Sequence, residues 1–483
     1  VNAGDLDAAL DGMKKLLATL EPKSSTEHLL FLQGTDLDIP DPLVPDLVGQ
    51  INKRIDYGRI EISSIPAFFE GVRKSLTKQG LMEKLPVLQG ERLDVQRADG
   101  FGALLHGVFS ARMNIKLANH RAQVRLENWA EPASTWALLH SAPYPRAFLD
   151  EAWKALCQNQ QHDGIGGCHV DRVTLTTEER YRTVDDISET VTRNALTHLV
   201  GRMDASHLSE KEIGLVVFNP LPHPFSGAAE CSVDFPHDMI GEKLGGYRTP
   251  GSVIVTDAAG RPVEAQVLEG DDRLISARMR VAGGDKFWAL RVKVAFEVKD
   301  VPPMGYAGYT AKYEAREYRT IESLSPQANT LENEHLRAVI NGDGTVDLTD
   351  KQTGESFPGL HYFEDGGEEG GPLMHVPPKR DGVFTTRGAA ATVSRIVSGP
   401  LMAAYRIEHQ WSLPAKLEAD MDIHIPTGQR FIEMQRPGRS EHRAILRIVT
   451  NISLARGARR LEFRTRVFNT IKDHRLRVVF PTG

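Results

Sequence analysis

The sequence predicts a multidomain fold in which an α/β segment is followed by a helical bundle and then by all-β modules. Three observations predict it. A chain of 483 residues is too long for one ordinary domain, and about three is the natural number. Helical periodicity dominates up to about Met203, broken near the start by one short apolar run of the kind found in buried parallel strands. After Ser209 short strand-like runs alternate with turn residues. Hydrophobic content of 41% with 25% charged residues describes a globular chain able to bury a sizeable core.

In order, Leu6, Ala9, Leu10, Met13, Leu16, Leu17 and Leu20 share one helical face. The run His28 to Asp36 then reads as a strand, and a further helix begins after Pro42. Functional residues of α/β units lie beyond the carboxyl ends of strands, where Asp36 falls. On the residues alone, capping of the following turn is the stronger reading for it. Ile60 to Pro66 reads as a second strand and Ala67 to Thr77 as a helix. From Gly90 to Gly107 the chain is irregular and carries Glu91, Asp94, Asp99 and His106; loops of that length are functional or mobile.

Ser110 is placed to N-cap a helix running to about Trp129, with Arg112 as a structural cation. A second helix spans about Glu131 to His140, and a third ends at His162, completing a three-helix bundle. A further helix from Thr176 to about Met203 carries Val184, Ile187, Val191, Ala195 and Leu199 on one face and leads out of the bundle. Strands are expected at Leu215 to Phe218, Ser252 to Val255 and Pro262 to Leu268. From about Thr330, Gly-Asp-Gly and Thr-Gly turns mark hairpins, and strands continue to the end. The acidic, glycine-rich stretch Glu364 to Gly371 reads as a solvated loop.

The chemistry concentrates at the end of the third bundle helix. Leu149, Trp153, Leu156 and Cys157 recur at helical spacing, and the pattern then breaks into His162-Asp163-Gly164-Ile165-Gly166-Gly167. The last carbonyls of a helix carry partial negative charge, so a cation beside His162 would be favoured there. A metal ligand and an ordinary glycine C-cap both fit this pattern, the cap being the commoner.

Composition excludes several classes. A net charge of −6 and a pI near 6.3 give no reason for a nucleic-acid partner. No apolar run is long enough to span a bilayer and the N-terminus has no signal pattern, so no membrane partner is expected. Cys157, Cys168 and Cys231 are too few for a disulfide framework, which suits a reducing, cytoplasmic location. Quaternary structure is not legible, and a homo-oligomer stays open.

The run NQQHDGIGGCHVDRV, Asn159 to Val173, resembles the His-Asp segment of the glycoside hydrolase family 38 α-mannosidases, whose pattern is close to N-x-x-H-D-x-I-x-G-x-x-x-D. The resemblance continues through GVFSARMNIKLANHRAQVRLENWAEP from Gly107, VVFNPLPHP from Val216, the hairpin region from Leu331 and the closing RVFNTIKDHRLRVVFPT from Arg466. It is strongest to bacterial forms at Leu29 to Asp36 and Gln158 to Val173. By resemblance, residues 1–89 are the end of an α/β, β/α barrel-like catalytic domain, 90–208 the helical bundle, 209–322 a β-sandwich and 323–483 a larger, truncated mutarotase-like sandwich.

Family 38 enzymes are retaining glycosidases, with a carboxylate nucleophile and a carboxylic acid roughly 5–5.5 Å apart. A zinc ion serves as a template for the sugar hydroxyls. The resemblance implies that His162 is one zinc ligand, that Asp163 contacts or orients the substrate, and that Asp36, in the Gly-x-Asp position, is the general acid/base, with Asp99 a remote second candidate. Zinc rests on the resemblance alone, since one histidine does not separate zinc from cobalt or manganese. The family's other three ligands, the nucleophile among them, would lie upstream of Val1. The chain is therefore expected to be a fragment of a longer enzyme lacking the front of its catalytic domain and its C-terminal end. His169-Val170-Asp171 has His-x-Asp spacing but falls elsewhere in the family register, and Asp171 is expected to cap the next helix. Leu373 stands about where relatives carry a tyrosine that reaches the site. Two functions follow: a zinc-dependent retaining α-mannosidase acting on terminal α-mannosyl residues of small mannosides such as mannosylglycerate or of glycans, or a non-catalytic carbohydrate-binding relative.

Overall fold

The computed structural model describes residues 6–32, 39–87, 89, 105–240, 251–276, 286–315, 322–369, 371–373, 375–378, 380–418 and 438–483. The chain divides into two compact units, Val1–Asp94 and Val95–Gly483. In the first, the apolar face of α1 (Leu6–Leu20) and that of α2 (Val44–Ile51) close a small core on Ala9, Met13 and Ile51. Helix α3 (Ile65–Gln79) starts where the Ser64 hydroxyl accepts from the Ala67 amide and stops at Gly80, in the left-handed region at φ 64°.

Neither strand expected in this unit forms among its described residues. Residues 28–32 and 60–64 have no ladder partner, and Leu32 and Ile62 are 78% and 61% exposed. A strand exists through its hydrogen bonds to a neighbour. The described residues of this unit include no strand to supply one, so the apolar runs there form no ladder, and the Ile60 N–H and C=O bond instead to the Asn52 side chain, each at 2.8 Å.

The second unit opens with a helical block. Helix α4 (Met113–Arg125) passes through a π-helical turn, Leu126–Ala130, directly into α5 (Glu131–Leu139), so the two helices read from sequence form one continuous run. Pro132 accounts for the wider turn. A proline clashes with the carbonyl four residues back, and a π turn gives that carbonyl room without breaking the rod. Helix α6 (Arg146–Asn159), the short α7 (His162–Gly166) and the long α8 (Asp171–Val200) complete the block. Its core is Ile115, Ala122, Leu126, Leu149, Leu156, Tyr181 and Val184, all buried. Asp185 on α8 pairs with Arg121 at 2.6 Å, and Trp153 Nε1 donates to Glu131 at 2.8 Å.

Two packed pairs of antiparallel sheets follow. In the first, β1 (Glu212–Asn219), β3 (Ser252–Asp257), β4 (Pro262–Val263) and β7 (Gly305–Glu314) form one sheet in the order β1-β7-β3-β4. Its partner holds β2 (Phe225–Pro236), β5 (Ala265–Ser276) and β6 (Lys286–Val301), with β6 central. Val233, Phe235, Val255, Val292, Val294 and Phe296 meet between them. The second pair comprises β8 (Thr330–Glu332), β9 (Leu336–Ile340), β10 (Val346–Asp350) and β11 (Ser356–Leu360) as a meander. It packs on the sheet of β14 (Thr392–Val397), β15 (Met402–Pro414), β18 (Arg443–Ala455) and β19 (Glu462–Phe468). Strands β12 (Tyr362–Gly367), β13 (Phe384–Thr385) and β20 (His474–Val479) extend the core over Trp411 and Leu446, and β16 (Leu417–Glu418) pairs with β17 (Gly438–Arg439).

The acidic stretch from Glu364 is thus no solvated loop. Its first half is β12, where the fully buried Asp365 carboxylate takes Arg439 Nη2 at 2.6 Å and His474 Nδ1 at 2.5 Å. Burial of a charge is tolerated when it is paired in this way.

Candidate functional site

Three consecutive amide side chains build the break that carries His162. Asn159 ends α6 buried, donating from Nδ2 to Thr177 O of α8 at 3.0 Å and accepting from Arg180 at 3.4 Å. Gln160 donates to Asn119 Oδ1 on α4, an oxygen that also takes the Tyr181 hydroxyl at 3.2 Å. Burial pushes the Tyr181 phenol up to about 12, so it serves there as a permanent donor. Gln161 leaves the helix at φ −59° and ψ 144°, and its side-chain oxygen accepts from the Asp163 amide at 3.1 Å.

His162 is consequently the first residue of α7 and not the last of the preceding helix. The dipole argument for a cation beside it is reversed, because this is the partially positive end of a helix. The turn is tight on both sides. A side chain at Gly164 would place its Cβ 3.0 Å from Asn159 O. Gly167 adopts φ 72°, and a Cβ there would lie 3.1 Å from Ala111 O.

The carboxyl side of the turn is held from the start of α4. Arg112 donates from Nε to Gly167 O and from Nη2 to His169 O, each at 3.0 Å, and its Nη2 lies 2.8 Å from Asp171 Oδ1. Lys116 Nζ donates to Gly166 O at 3.0 Å and also to Ala111 O. Burial pushes the Lys116 ammonium below its usual value, and the neighbouring Arg112 charge adds to this. Arg112 holds a left-handed backbone, φ 49°, at a cost of about 1–2 kcal/mol for a residue with a side chain.

Two capping expectations change here. Ser110 does not cap α4: it closes the preceding short turn, its hydroxyl donating to Gly107 O at 3.4 Å, while Arg112 stands at the N-cap. Asp171 is the first residue of α8, and its carboxylate pairs with Arg112 in place of a backbone amide. Leu373 contributes its carbonyl, which accepts from Gly107 N at 3.0 Å.

The His162 side chain is 92% exposed, with Nε2 3.4 Å from Asp163 Oδ1. That carboxylate oxygen also accepts from Cys168 Sγ at 3.2 Å. Burial, followed by the hydrogen bond to Asp163, pushes the Cys168 thiol up, which keeps it a protonated donor. The structure therefore brings His162 and Asp163 together. Asp36 and Asp99 lie outside the described residues.

A catalytic zinc takes at least three protein ligands. One exposed imidazole beside a carboxylate is fewer, and among the described residues no group of three His, Cys, Asp or Glu could hold a metal ion. These residues do not by themselves make a metal site. Lys116, Gln160 and Gln161 were not singled out by sequence reasoning, and Asn159 entered it only as the first residue of the family pattern. The run of three amides at the point where helical periodicity fails was the signal that could have found the two glutamines.

Residues 103–199, which contain the His162 turn with its Arg112 and Lys116 contacts, match the α-mannosidase middle domain family. A protein of Halalkalibacterium halodurans, named provisionally as a mannosylglycerate hydrolase, is 27% identical over 99% of this chain and 53% of its own length. A solved α-mannosidase structure from Enterococcus faecalis V583 superimposes with a TM-score of 0.71 at 27% identity, covering 99% of this chain and 54% of its own. A second structure, of a glycosyl hydrolase family 38 protein from Enterococcus faecalis, gives 0.69 at 26% identity, covering 99% and 55%. The chain spans about half the length of these relatives. The mixture of helices and several antiparallel sheets is common to the chain and these neighbours. Along nearly its whole length, then, this chain is similar to the family 38 α-mannosidases, with their middle domain at residues 103–199.

Proposed function

We propose that this chain is part of a zinc-dependent retaining α-mannosidase of the family 38 kind, acting on the terminal α-mannosyl residue of a small mannoside or glycan. The observation that carries the reading is the exposed His162-Asp163 turn lying inside the α-mannosidase middle-domain match. His162 is proposed as one of the metal donors, the others coming from residues outside those described. Asp163 is proposed to orient the sugar, and Asp36 to serve as general acid/base. The architecture assigned to this reading is a β/α barrel-like end at 1–89, a bundle at 90–208, a sandwich at 209–322 and a mutarotase-like sandwich at 323–483.

His162 would hold the zinc together with donors outside the described residues, and the ion would supply a template for the sugar hydroxyls. What the chain's own residues supply is placement, by an exposed imidazole and carboxylate on a turn fastened at both ends. A cytoplasmic location fits three cysteines that are all free. Among the described residues no helix is long and apolar enough to cross a membrane.

The test is zinc content and hydrolysis of an aryl α-mannoside, measured on the protein extended upstream of Val1 to its natural start and on the 483-residue chain. Zinc and turnover in the extended protein support the reading. Neither in either form rejects it in favour of a non-catalytic carbohydrate-binding relative.

A further inference from the structure

Helix α7 has too little length to hold itself: five residues make barely more than one turn, which is unstable without outside contacts. The Gln161 cap fastens its amino side. Two cations from the first turn of α4 fasten its carboxyl side, Lys116 on Gly166 O and Arg112 on Gly167 O and His169 O, all at 3.0 Å. Basic side chains on the last carbonyls of a helix are common caps, so these contacts alone say little.

Two further facts separate the pair from an ordinary cap. Arg112 keeps a left-handed backbone that capping does not require, and from it the guanidinium fork reaches two carbonyls of one loop and the Asp171 carboxylate. Gly167 presses against the same pair, since a Cβ there would sit 3.2 Å from Arg112 Cβ and 3.2 Å from Lys116 Nζ. The loop therefore lies close enough to the two cations to leave no room for a side chain at position 167, besides being joined to them by hydrogen bonds. The exposed His162 side chain takes its direction from the backbone of this turn.

We propose that Arg112 and Lys116 are positioning residues, which clamp the α7 turn and thereby set where the His162 imidazole and Asp163 carboxylate face. The role rests on the reading of His162 and Asp163 as site residues given above. Misplacing such groups by about 1 Å costs on the order of a hundredfold in rate, so a clamp of this kind has a measurable purpose.

The first arm of the test uses the 483-residue chain. The amides of Gly164 and Ile165 donate to Gln161 O and that of Gly167 to Asp163 O, so their hydrogen exchange reports whether the turn is held. Arg112→Met and Lys116→Met are each expected to raise exchange at these amides by on the order of tenfold, the scale of one lost charge-assisted hydrogen bond. Amides of β15 and β18 keep wild-type rates. Lys116→Arg is expected to restore most of the protection, and Arg112→Lys only part, because lysine lacks the fork. Unchanged exchange at the three amides in both methionine variants overturns the clamp. So does a rise spread evenly over α8 and the sheets, which would be general loosening.

The second arm measures kcat and KM on an aryl α-mannoside in the extended protein. The methionine variants are expected to lose on the order of a hundredfold in kcat with KM little changed. Wild-type kcat despite lost amide protection overturns the positioning role. Absence of turnover in the unmutated extended protein instead rejects the α-mannosidase reading, and the exchange result then judges the clamp alone.

Discussion

His361 sits between β11 and β12 with a left-handed backbone at φ 61°, its ring stacked on Phe463 at 4.8 Å and almost wholly buried. Nδ1 lies 3.3 Å from Gly344 O, while Nε2 is buried without a hydrogen-bond partner among the described residues. Protonating Nε2 would bury an unsatisfied cation, and burial pushes the imidazole down to about 4. The unfolded chain therefore binds the extra proton first. The stabilisation is complete above the ordinary histidine value near 6.5 and is lost as pH falls toward about 4, by about 3 kcal/mol in all. His361→Asn, which tolerates the left-handed backbone, should flatten this part of the pH dependence of unfolding between pH 7 and pH 4. An unchanged slope would show that the proton is taken elsewhere. At the same scale, His162→Ala in the extended protein should remove both zinc and activity; full zinc with a normal rate would rule out the ligand role. His162 and Asp163 were legible because their pattern is local. Lys116 was not, since a lysine becomes a buried donor only through tertiary contact with Gly166 O and Ala111 O.

Elements were legible where their own residues decide them. Helix α1 was announced by its apolar face, and helix α3 lies within two residues of the Ala67 to Thr77 expectation, its ends set by the Ser64 cap and the Gly80 stop. The runs at 28–32 and 60–64 were misread because pairing is supplied by other segments, which apolar content does not reveal. The polarity of α7 was misread for a different reason. Gln161 caps from a position where Ser, Thr, Asp or Asn is usual, so one helix seemed to run on to His162. Gly167 gives this element a direct test. Gly167→Ala combines φ 72° with the close approach to Ala111 O and should cost about 1–2 kcal/mol, read as a lower thermal midpoint with lost protection at the Gly167 amide. A wild-type midpoint with that amide still protected would mean that the loop relaxes freely.

For the whole molecule, short strand-like runs separated by turn residues were enough to announce the β-rich remainder, and the first sandwich core is built from such runs. Phe296, on the central strand β6, is buried between the two sheets, and Phe296→Ala should destabilise that pair by about 3–5 kcal/mol in denaturant unfolding. A loss below about 1 kcal/mol would contradict the shared core. The Asp365, Arg439 and His474 network was illegible because its members lie far apart in sequence, and the acidic composition around Asp365 suggested solvent exposure. Completeness of the site is likewise a property of the whole molecule: among the described residues one exposed imidazole and one carboxylate meet at the turn, while relatives of about twice the length carry the family name. The most direct measurement is therefore zinc analysis with an aryl α-mannoside assay on the protein extended to its natural start, beside the 483-residue chain. Stoichiometric zinc and chelator-sensitive turnover in the extended form alone is the predicted result. An extended form with no zinc and no turnover, or turnover by the 483-residue chain unaffected by chelator, would contradict the account.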